Sequence, residues 1–241
     1  MIPLLLLPGM MCTGALFREQ TAHFSAERVV QNAPLNDHRF VHTLAQHVLE
    51  QAPPTFALCG HSMGAIVAIE VLRQAPARVK GIALMNTNPL TEIPSVRQKR
   101  HPQIVKVRSG GLLEVMRDEI NPHYLADEED SNDILELCTD MAVELGRDVF
   151  LRQSLAMRDR PEQSKILRAI RVPTLILCGE YDKVSPLGRH QMMHQMVPGS
   201  TLAVVSDAGH LPVLEQPIES NRHIQAWLHA CDSRIHADNL G

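Results

Sequence analysis

Residues 55–72 read TFALCGHSMGAIVAIEVL, in which one serine stands between two glycines at the junction of two apolar runs. The first run, Thr55–Cys59, has the length and unbroken apolar character of a buried strand, and the run that starts at Ala65 favours a helix. A turn this tight admits only very small residues two positions on either side of Ser62. By composition, Gly-x-Ser-x-Gly should occur by chance only roughly 0.03 times in this chain. The stretch therefore predicts a strand, a sharp turn that exposes the serine hydroxyl, and a helix.

The alternation of strand and helix continues along the chain. The most apolar of the predicted strands show no polar alternation, which is typical of parallel strands covered on both faces. The predicted strands are Ile2–Leu7, Arg28–Gln31, Thr55–Cys59, Gly81–Met85, Thr174–Cys178 and Thr201–Val205. The predicted helices between them are Gly14–His23, His42–Gln51, Ala65–Gln74, Leu187–Met196 and Ile218–Cys231. This order predicts an α/β fold with a doubly wound, mostly parallel sheet.

One long segment interrupts the alternation. Between about residues 88 and 170 the sequence shows no convincing strand, only helical pieces at 111–119, 134–145 and 149–157. We therefore predict a core made of residues 1–87 and 171–241, with residues 88–170 inserted as a helical cap. Two charge blocks in the cap are interpreted mainly as solvated helix faces. They are a basic run of Arg97, Lys99, Arg100, Lys106 and Arg108, and an acidic block of Asp127, Glu128, Glu129, Asp130 and Asp133.

Composition narrows the function classes. A chain of 241 residues with 44% apolar and 21% charged residues has the balance of an ordinary globular protein. A net charge of −4 with both signs dispersed argues against nucleic-acid binding. The apolar N-terminal run lacks a basic region and lies between Pro3 and Pro8, so it predicts a strand rather than a signal peptide. We expect a cytoplasmic protein, monomeric or homodimeric, with no membrane or nucleic-acid partner.

Two further polar motifs follow predicted strands. The run that ends at Cys178 leads into Gly-Glu-Tyr-Asp, ending at Asp182, and the run that ends at Val205 leads into Ser-Asp-Ala-Gly-His, ending at His210. A serine nucleophile needs a base to take its proton and an acid to orient that base. Because carboxyl ends of parallel strands meet at one edge of the sheet, the sequence predicts a catalytic triad of Ser62, Asp182 and His210. Glu180 is the weaker alternative for the acid.

The phrases GHSMG, GEYDKVSP and DAGHLPVLEQP resemble motifs of the α/β-hydrolase superfamily, in its group of small esterase-like enzymes with a helical cap. The resemblance covers nearly the whole chain, although the usual N-terminal β-hairpin is absent or trimmed. It implies the family's strand order and a serine hydrolase that needs no cofactor or metal. It also implies an oxyanion hole made of the backbone amides of Met63 and Met10, with Met11 as the neighbouring alternative. Where the family often has His-Gly-X, this chain has a proline, Pro8, in place of the histidine.

The resemblance leaves the substrate open. The leading hypothesis is a carboxylesterase for small-molecule esters with small or medium acyl groups. The alternatives are a thioesterase or acyl-carrier methyl-ester hydrolase, a C–C bond hydrolase, a cofactor-free haloperoxidase-like enzyme, and a non-catalytic ligand-binding relative. The basic run would favour an acidic carrier or a carboxylate-bearing substrate. The residues predicted to contact the substrate are Met11, Tyr124, Leu125, Phe150 and Met157.

Other polar residues are assigned structural roles. His190 and His194 share one helix face, but Gln191 stands where a zinc motif of this spacing needs glutamate, so no metal site is predicted. His61 is interpreted as a residue that packs beside the serine or supports the groups that surround it. We expect His38, His42 and His47 to lie on the surface, and Asn86 and Thr87 to follow a strand near the edge of the site.

Overall fold

The computed structural model describes residues 1–126 and 132–238 and contains a six-stranded sheet in the order β2-β1-β3-β4-β5-β6. Every pair of neighbouring strands is parallel. The strands are β1 (Leu4–Leu7), β2 (Val30–Asn32), β3 (Phe56–His61), β4 (Val79–Met85), β5 (Thr174–Gly179) and β6 (Thr201–Val205). The predicted α/β fold with a mostly parallel sheet is confirmed.

Helices cover both faces of the sheet. They are α1 (Arg18–Phe24), α2 (Val41–Gln51), α3 (Met63–Gln74), α4 (Pro94–Arg108), α5 (Leu112–Val115), α6 (Asn132–Arg158), α7 (Ser164–Arg168), α8 (Leu187–Met196), α9 (Pro212–Glu215) and α10 (Pro217–Asp238). Short 3-10 turns occupy Gly14–Phe17 and Asn121–His123, and a π-helical turn occupies Met116–Ile120. The helix predicted from Gly14 thus starts as a 3-10 turn, whose Ala15 amide donates to the Thr13 hydroxyl.

The core follows from the absence of polar residues in the central strands. In β1, Leu5 and Leu7 pack into one apolar cluster with α2, α3 and α8, whereas Leu4 and Leu6 pack into a second cluster with α1 and α10. Side chains alternate across a strand, so four consecutive buried leucines require cover on both faces. Helices therefore cover both faces of the central strands, and the carboxyl ends of these parallel strands lie at one edge of the sheet.

The inserted segment (residues 88–170) lies between β4 and β5. Its described part carries α4 to α7 and no strand. The predicted helices 134–145 and 149–157 are joined in α6, where Gly146 has the non-helical angles φ 74° and ψ 175°. The predicted helix 111–119 is only a short α5 followed by the π-helical turn. The acidic stretch at 127–130 lies outside the described residues.

Across the described ranges, no helix combines the length and the apolar character that crossing a membrane would require.

Candidate active site

Ser62 occupies a strained turn between β3 and α3. Its backbone has φ 52° and ψ −114°, a left-handed conformation that costs a non-glycine residue of the order of 1 kcal/mol or more. A Cβ atom on Gly64 would collide with the Leu7 carbonyl, and one on Gly60 would collide with the backbone at Gly64, so both positions require glycine. The Ser62 amide donates to the Met85 carbonyl at 2.8 Å. Such a turn is retained only where its surroundings hold it, and strain of this kind is common at functional sites.

The structure brings the three predicted triad residues together. His210 Nε2 lies 3.1 Å from Ser62 Oγ, and His210 Nδ1 lies 3.0 Å from both carboxylate oxygens of Asp182. Asp182 follows β5 and His210 follows β6, so all three side chains sit beyond the carboxyl ends of strands. Asp182 and His210 are buried. Glu180, the alternative acid, is exposed and is not the group that contacts the histidine.

The Asp182 carboxylate is held ionised by its hydrogen bonds. Oδ1 accepts from the amides of Val184 and Ser185, each at 2.8 Å, and Oδ2 accepts from Asn86 Nδ2 at 2.9 Å. Burial alone would raise the pKa of Asp182, but the His210 charge and these hydrogen bonds together hold that pKa well below its usual range. The acid is therefore an anion that can orient and stabilise an imidazolium. Sequence reasoning placed Asn86 near the site but did not assign it this contact.

A second carboxylate fixes the loop that carries His210. Glu215 accepts from the amides directly before and after His210, at 2.9 Å each, and from the amide of Ala126 at 2.9 Å. The Tyr124 ring stacks on the His210 ring with centroids 5.5 Å apart, and the Tyr124 carbonyl accepts from the His210 amide. Residues of the inserted segment thus contact the histidine directly. Sequence reasoning missed Glu215, although it lies inside the quoted phrase DAGHLPVLEQP.

His61, next to the nucleophile in sequence, also supports His210. Its Nε2 lies 2.7 Å from the His210 carbonyl oxygen. Burial, reinforced by the nearby His210 charge, lowers the pKa of His61 to about 3. A neutral ring in this position donates its Nε2–H to the carbonyl. His61 is therefore more than a packing neighbour, because it fixes the backbone of His210.

A pH-stability measurement checks the burial of His61. In the unfolded chain the ring binds a proton near its ordinary pKa of 6.5, whereas in the folded chain it stays neutral down to about pH 3. Stability is therefore fully present above pH 6.5 and is lost as the pH falls, by about 2 kcal/mol between pH 6.5 and 5. We expect the unfolding free energy of His61→Gln to decline by about 2 kcal/mol less over this interval.

Denaturant unfolding at pH 7.5 and 5 measures this difference. Burial also lowers the pKa of His190, to about 4. Its effect on stability is the same in both proteins, so it cancels when their unfolding free energies are compared. His236→Gln, at an exposed position, is the matched control and should decline like the wild type. Parallel declines of the wild type and His61→Gln would contradict the assignment.

Two backbone amides near Ser62 are candidates for binding an oxyanion. Met63 is the first residue of α3, where the amide has no partner within the helix and the helix dipole favours an anion. In the loop after β1, the Met11 amide already donates to Gln153 Oε1 at 2.8 Å. This leaves the Met10 amide as the candidate second donor. Loop and nucleophile are close, since a Cβ atom on Gly9 would lie 3.5 Å from Ser62 Cβ.

The five predicted substrate-contacting residues are all buried, but they fall in three apolar clusters. Tyr124 and Leu125 pack on the α10 side of the sheet, next to the His210 loop. Met11, from the loop after β1, and Phe150 share a smaller cluster that is formed mainly by the inserted segment. Met157 packs in the cluster of α2 and α3. Tyr124 is the member of this set that directly contacts a triad residue.

The histidines of α8 have structural partners. His190 Nε2 accepts from the Thr87 amide at 3.0 Å, and His194 Nδ1 lies 2.8 Å from Ser200 Oγ. The Thr87 hydroxyl in turn donates to the Ser62 carbonyl at 3.0 Å, so His190 and Thr87 brace the turn of the nucleophile. Within the described residues, no cluster of three or more His, Cys, Asp or Glu side chains could hold a metal ion.

Comparison with known proteins gives one family and several relatives. A model described as the alpha/beta hydrolase family matches residues 5–221. The chain is 23% identical over 190 residues to a pimeloyl-[acyl-carrier protein] methyl ester esterase of Nitrosomonas europaea, covering 72% of this chain and 71% of the relative. A malate-bound thermophilic esterase from Thermogutta terrifontis superposes with a TM-score of 0.85 at 25% identity, covering 96% and 90% of the two chains. An enol-lactonase from Burkholderia xenovorans LB400 superposes with a TM-score of 0.85 at 19% identity, covering 95% and 92%.

Proposed function

The chain belongs to the alpha/beta hydrolase family, and we propose that it is a serine hydrolase that cleaves carboxylic esters of small or medium acyl and alcohol groups through an acyl-enzyme. The observation that carries the proposal is the hydrogen-bonded series Ser62–His210–Asp182, with the serine on a strained turn. A serine is a poor nucleophile without an adjacent base, and here the base lies 3.1 Å away. Relatives named as esterases and as an enol-lactonase support ester chemistry.

Acylation follows from this geometry. His210 Nε2 takes the proton of Ser62 Oγ as the oxygen attacks the ester carbonyl carbon. Asp182 keeps the other imidazole proton on Nδ1 and stabilises the imidazolium that forms. The amides of Met63 and Met10 donate to the tetrahedral oxyanion, and each such donor typically contributes about 3 to 4 kcal/mol. Collapse of the intermediate transfers the His210 proton to the leaving alcohol and leaves the acyl group on Ser62.

Deacylation uses the same groups. Water enters where the alcohol left, and His210 Nε2 takes its proton as it attacks the acyl carbon. A second tetrahedral oxyanion forms, accepts hydrogen bonds from the same pair of amides, and collapses to the carboxylic acid. The proton returns from His210 to Ser62, and the site is restored.

A substrate panel tests the ester assignment. We expect kcat/KM for p-nitrophenyl esters to peak at short or medium acyl length, and to fall by at least about 10-fold from butyrate to decanoate. The expected reason is steric, because the buried side chains of Tyr124 and Leu125 pack beside the His210 loop, and we propose that they limit the length of the acyl chain. Initial rates at fixed pH measure the series.

The same panel separates the second candidate function, hydrolysis of a thioester or of a methyl ester on an acyl carrier. The methyl-ester form of that candidate is supported by the Nitrosomonas relative, which is named as an acyl-carrier methyl ester esterase. Thioesters of the same acyl groups are therefore run beside the p-nitrophenyl esters. Turnover of the thioesters with no turnover of any oxygen ester would overturn the carboxylesterase assignment and favour the thioesterase form of the second candidate.

A further inference from the structure

One guanidinium of the basic run is turned toward the active site. Arg97, Lys99 and Arg108 are exposed, whereas the Arg100 side chain is only 12% exposed. Arg100 Nη1 lies 3.7 Å from Met10 Sδ. Met10 follows Gly9, the residue whose Cβ would be in contact with Ser62. A fixed positive charge therefore stands beside the loop that lies against the nucleophile.

The hydrogen bonds of Arg100 leave donors free on the site side. Nε lies 2.7 Å from both carboxylate oxygens of Glu92, and Nη2 lies 2.6 Å from one of them. The partner of Nη1 is the Met10 thioether, which is a weak acceptor. A guanidinium has five N–H donors, and two of them belong to Nη1. Nη1 faces Met10, in the loop after β1, and it has no strong acceptor among the described residues.

The charges around Glu92 do not balance. The side chain of Glu92 is 1% exposed and lies against a second guanidinium, with Arg160 Nη1 3.6 Å from Oε1. Burial lowers the pKa of Arg160 to about 10. The neighbouring Arg100 and Arg189 charges also lower this pKa, whereas the Glu92 charge raises it. Arg160 nonetheless remains a cation at neutral pH. Two largely buried guanidinium groups thus share one carboxylate, and a surplus positive charge in such surroundings favours the binding of an anion.

We propose that Arg100 selects substrates that carry a free carboxylate in addition to the ester, such as monoesters of short dicarboxylic acids. This inference rests on the proposed function, since it assigns the substrate class of the same site. A carboxylate oxygen accepts from Nη1, while Nε and Nη2 stay on Glu92 and keep the guanidinium in place. Arginine suits this role because its planar fork presents donors in fixed directions. The carboxylate can stand on the acyl or the alcohol side of the ester.

Paired substrates test the proposal. The ratio of kcat/KM for monoethyl glutarate to that for diethyl glutarate measures selection of a carboxylate on the acyl side. The ratio for 4-acetoxybutyrate to butyl acetate measures selection of a carboxylate on the alcohol side and forms a second series. We expect the wild-type ratio to exceed 1 in one series, and Arg100→Met to lower it by about 10- to 100-fold. Arg100→Lys keeps the charge but loses the fork and should lower it by about 3- to 10-fold. Arg97→Met, an exposed neighbour in the basic run, is the matched control and should leave the ratio unchanged.

The outcomes are separable from those of the proposed function. Titration of Ser62→Ala with free glutarate, followed by thermal unfolding, measures anion binding without turnover; we expect a rise in Tm that is absent when Arg100→Met is added. If glutarate binds but the wild type turns over no ester, the ester assignment is wrong and the anion site is supported. If the wild type turns over esters without preferring the carboxylate-bearing ester in either series, the anion site is wrong and the ester assignment is unaffected. If Arg100→Met does not fold, the wild-type ratio and Arg100→Lys decide the question.

Discussion

Replacement of Ser62 by alanine is expected to lower kcat for the best ester by about 10⁴- to 10⁶-fold, with KM much less affected. The change removes the Oγ atom that accepts the acyl group, while the oxyanion donors and the substrate pocket remain. Alanine needs the same left-handed backbone as serine at this turn, so the Tm of the variant should stay close to that of the wild type. Initial rates and thermal unfolding measure the two effects.

Covalent labelling identifies the same atom directly. A fluorophosphonate should add its mass to one site in the wild type, at Ser62, and should leave Ser62→Ala unlabelled. Ser206→Ala is the matched control, because Ser206 is exposed on the loop that leads to His210. A folded wild-type protein that takes no label would favour the non-catalytic ligand-binding alternative. A label on another serine would displace Ser62 as the nucleophile.

Asp182→Asn is expected to lower kcat by about 10³- to 10⁴-fold. The amides of Val184 and Ser185 donate to Oδ1, so an asparagine would place its carbonyl oxygen there. Its amino group would then face the amino group of Asn86 and His210 Nδ1. Donation to Nδ1 selects the tautomer with its proton on Nε2, which cannot take the proton of Ser62.

Asp207→Asn is the control variant, because it removes a carboxylate near the site without removing the one that contacts His210. Asp207 is exposed at the same edge of the sheet and has φ 51°, a conformation that asparagine adopts readily. Its rate should match that of the wild type. A rate for Asp182→Asn within about 10-fold of the wild type would show that the carboxylate is not needed to orient His210.

The parts of the fold that the sequence predicts well are those decided by burial alone. Central strands of a parallel sheet are covered on both faces, so β1 and β5 appear as unbroken apolar runs. The proximity of Ser62, Asp182 and His210 could be predicted because each of them follows such a strand. The predicted ends of strands are less accurate where a residue near the end contacts a distant part of the chain. Arg28, taken as the start of β2, is instead buried and paired with Asp232 of α10.

The rest depends on contacts between residues far apart in the chain. α4 carries Pro102 and many charges, so its helical pattern is weak in the sequence. The basic run was interpreted as solvated, and only the fold shows that Glu92 draws Arg100 inward. Met157, predicted to contact substrate, packs in the core cluster of α2 and α3. Nothing in the sequence around Glu215 indicates its role, because one of its partners, Ala126, is 89 residues away in the chain.

The three contacts of Glu215 have a consequence for variation in the inserted segment. Because one carboxylate holds both Ala126 and the amides around His210, the segment has a fixed point against the catalytic base. Changes of length or sequence elsewhere in the segment can alter which molecules fit without disturbing that point. Under the proposed function, a shift of Ala126 itself is expected to misplace His210 and to slow the turnover of every substrate alike. Substrate specificity can therefore change through other residues of the segment, while the contacts of Glu215 with Ala126 and the His210 loop restrict which sequence changes are tolerated there.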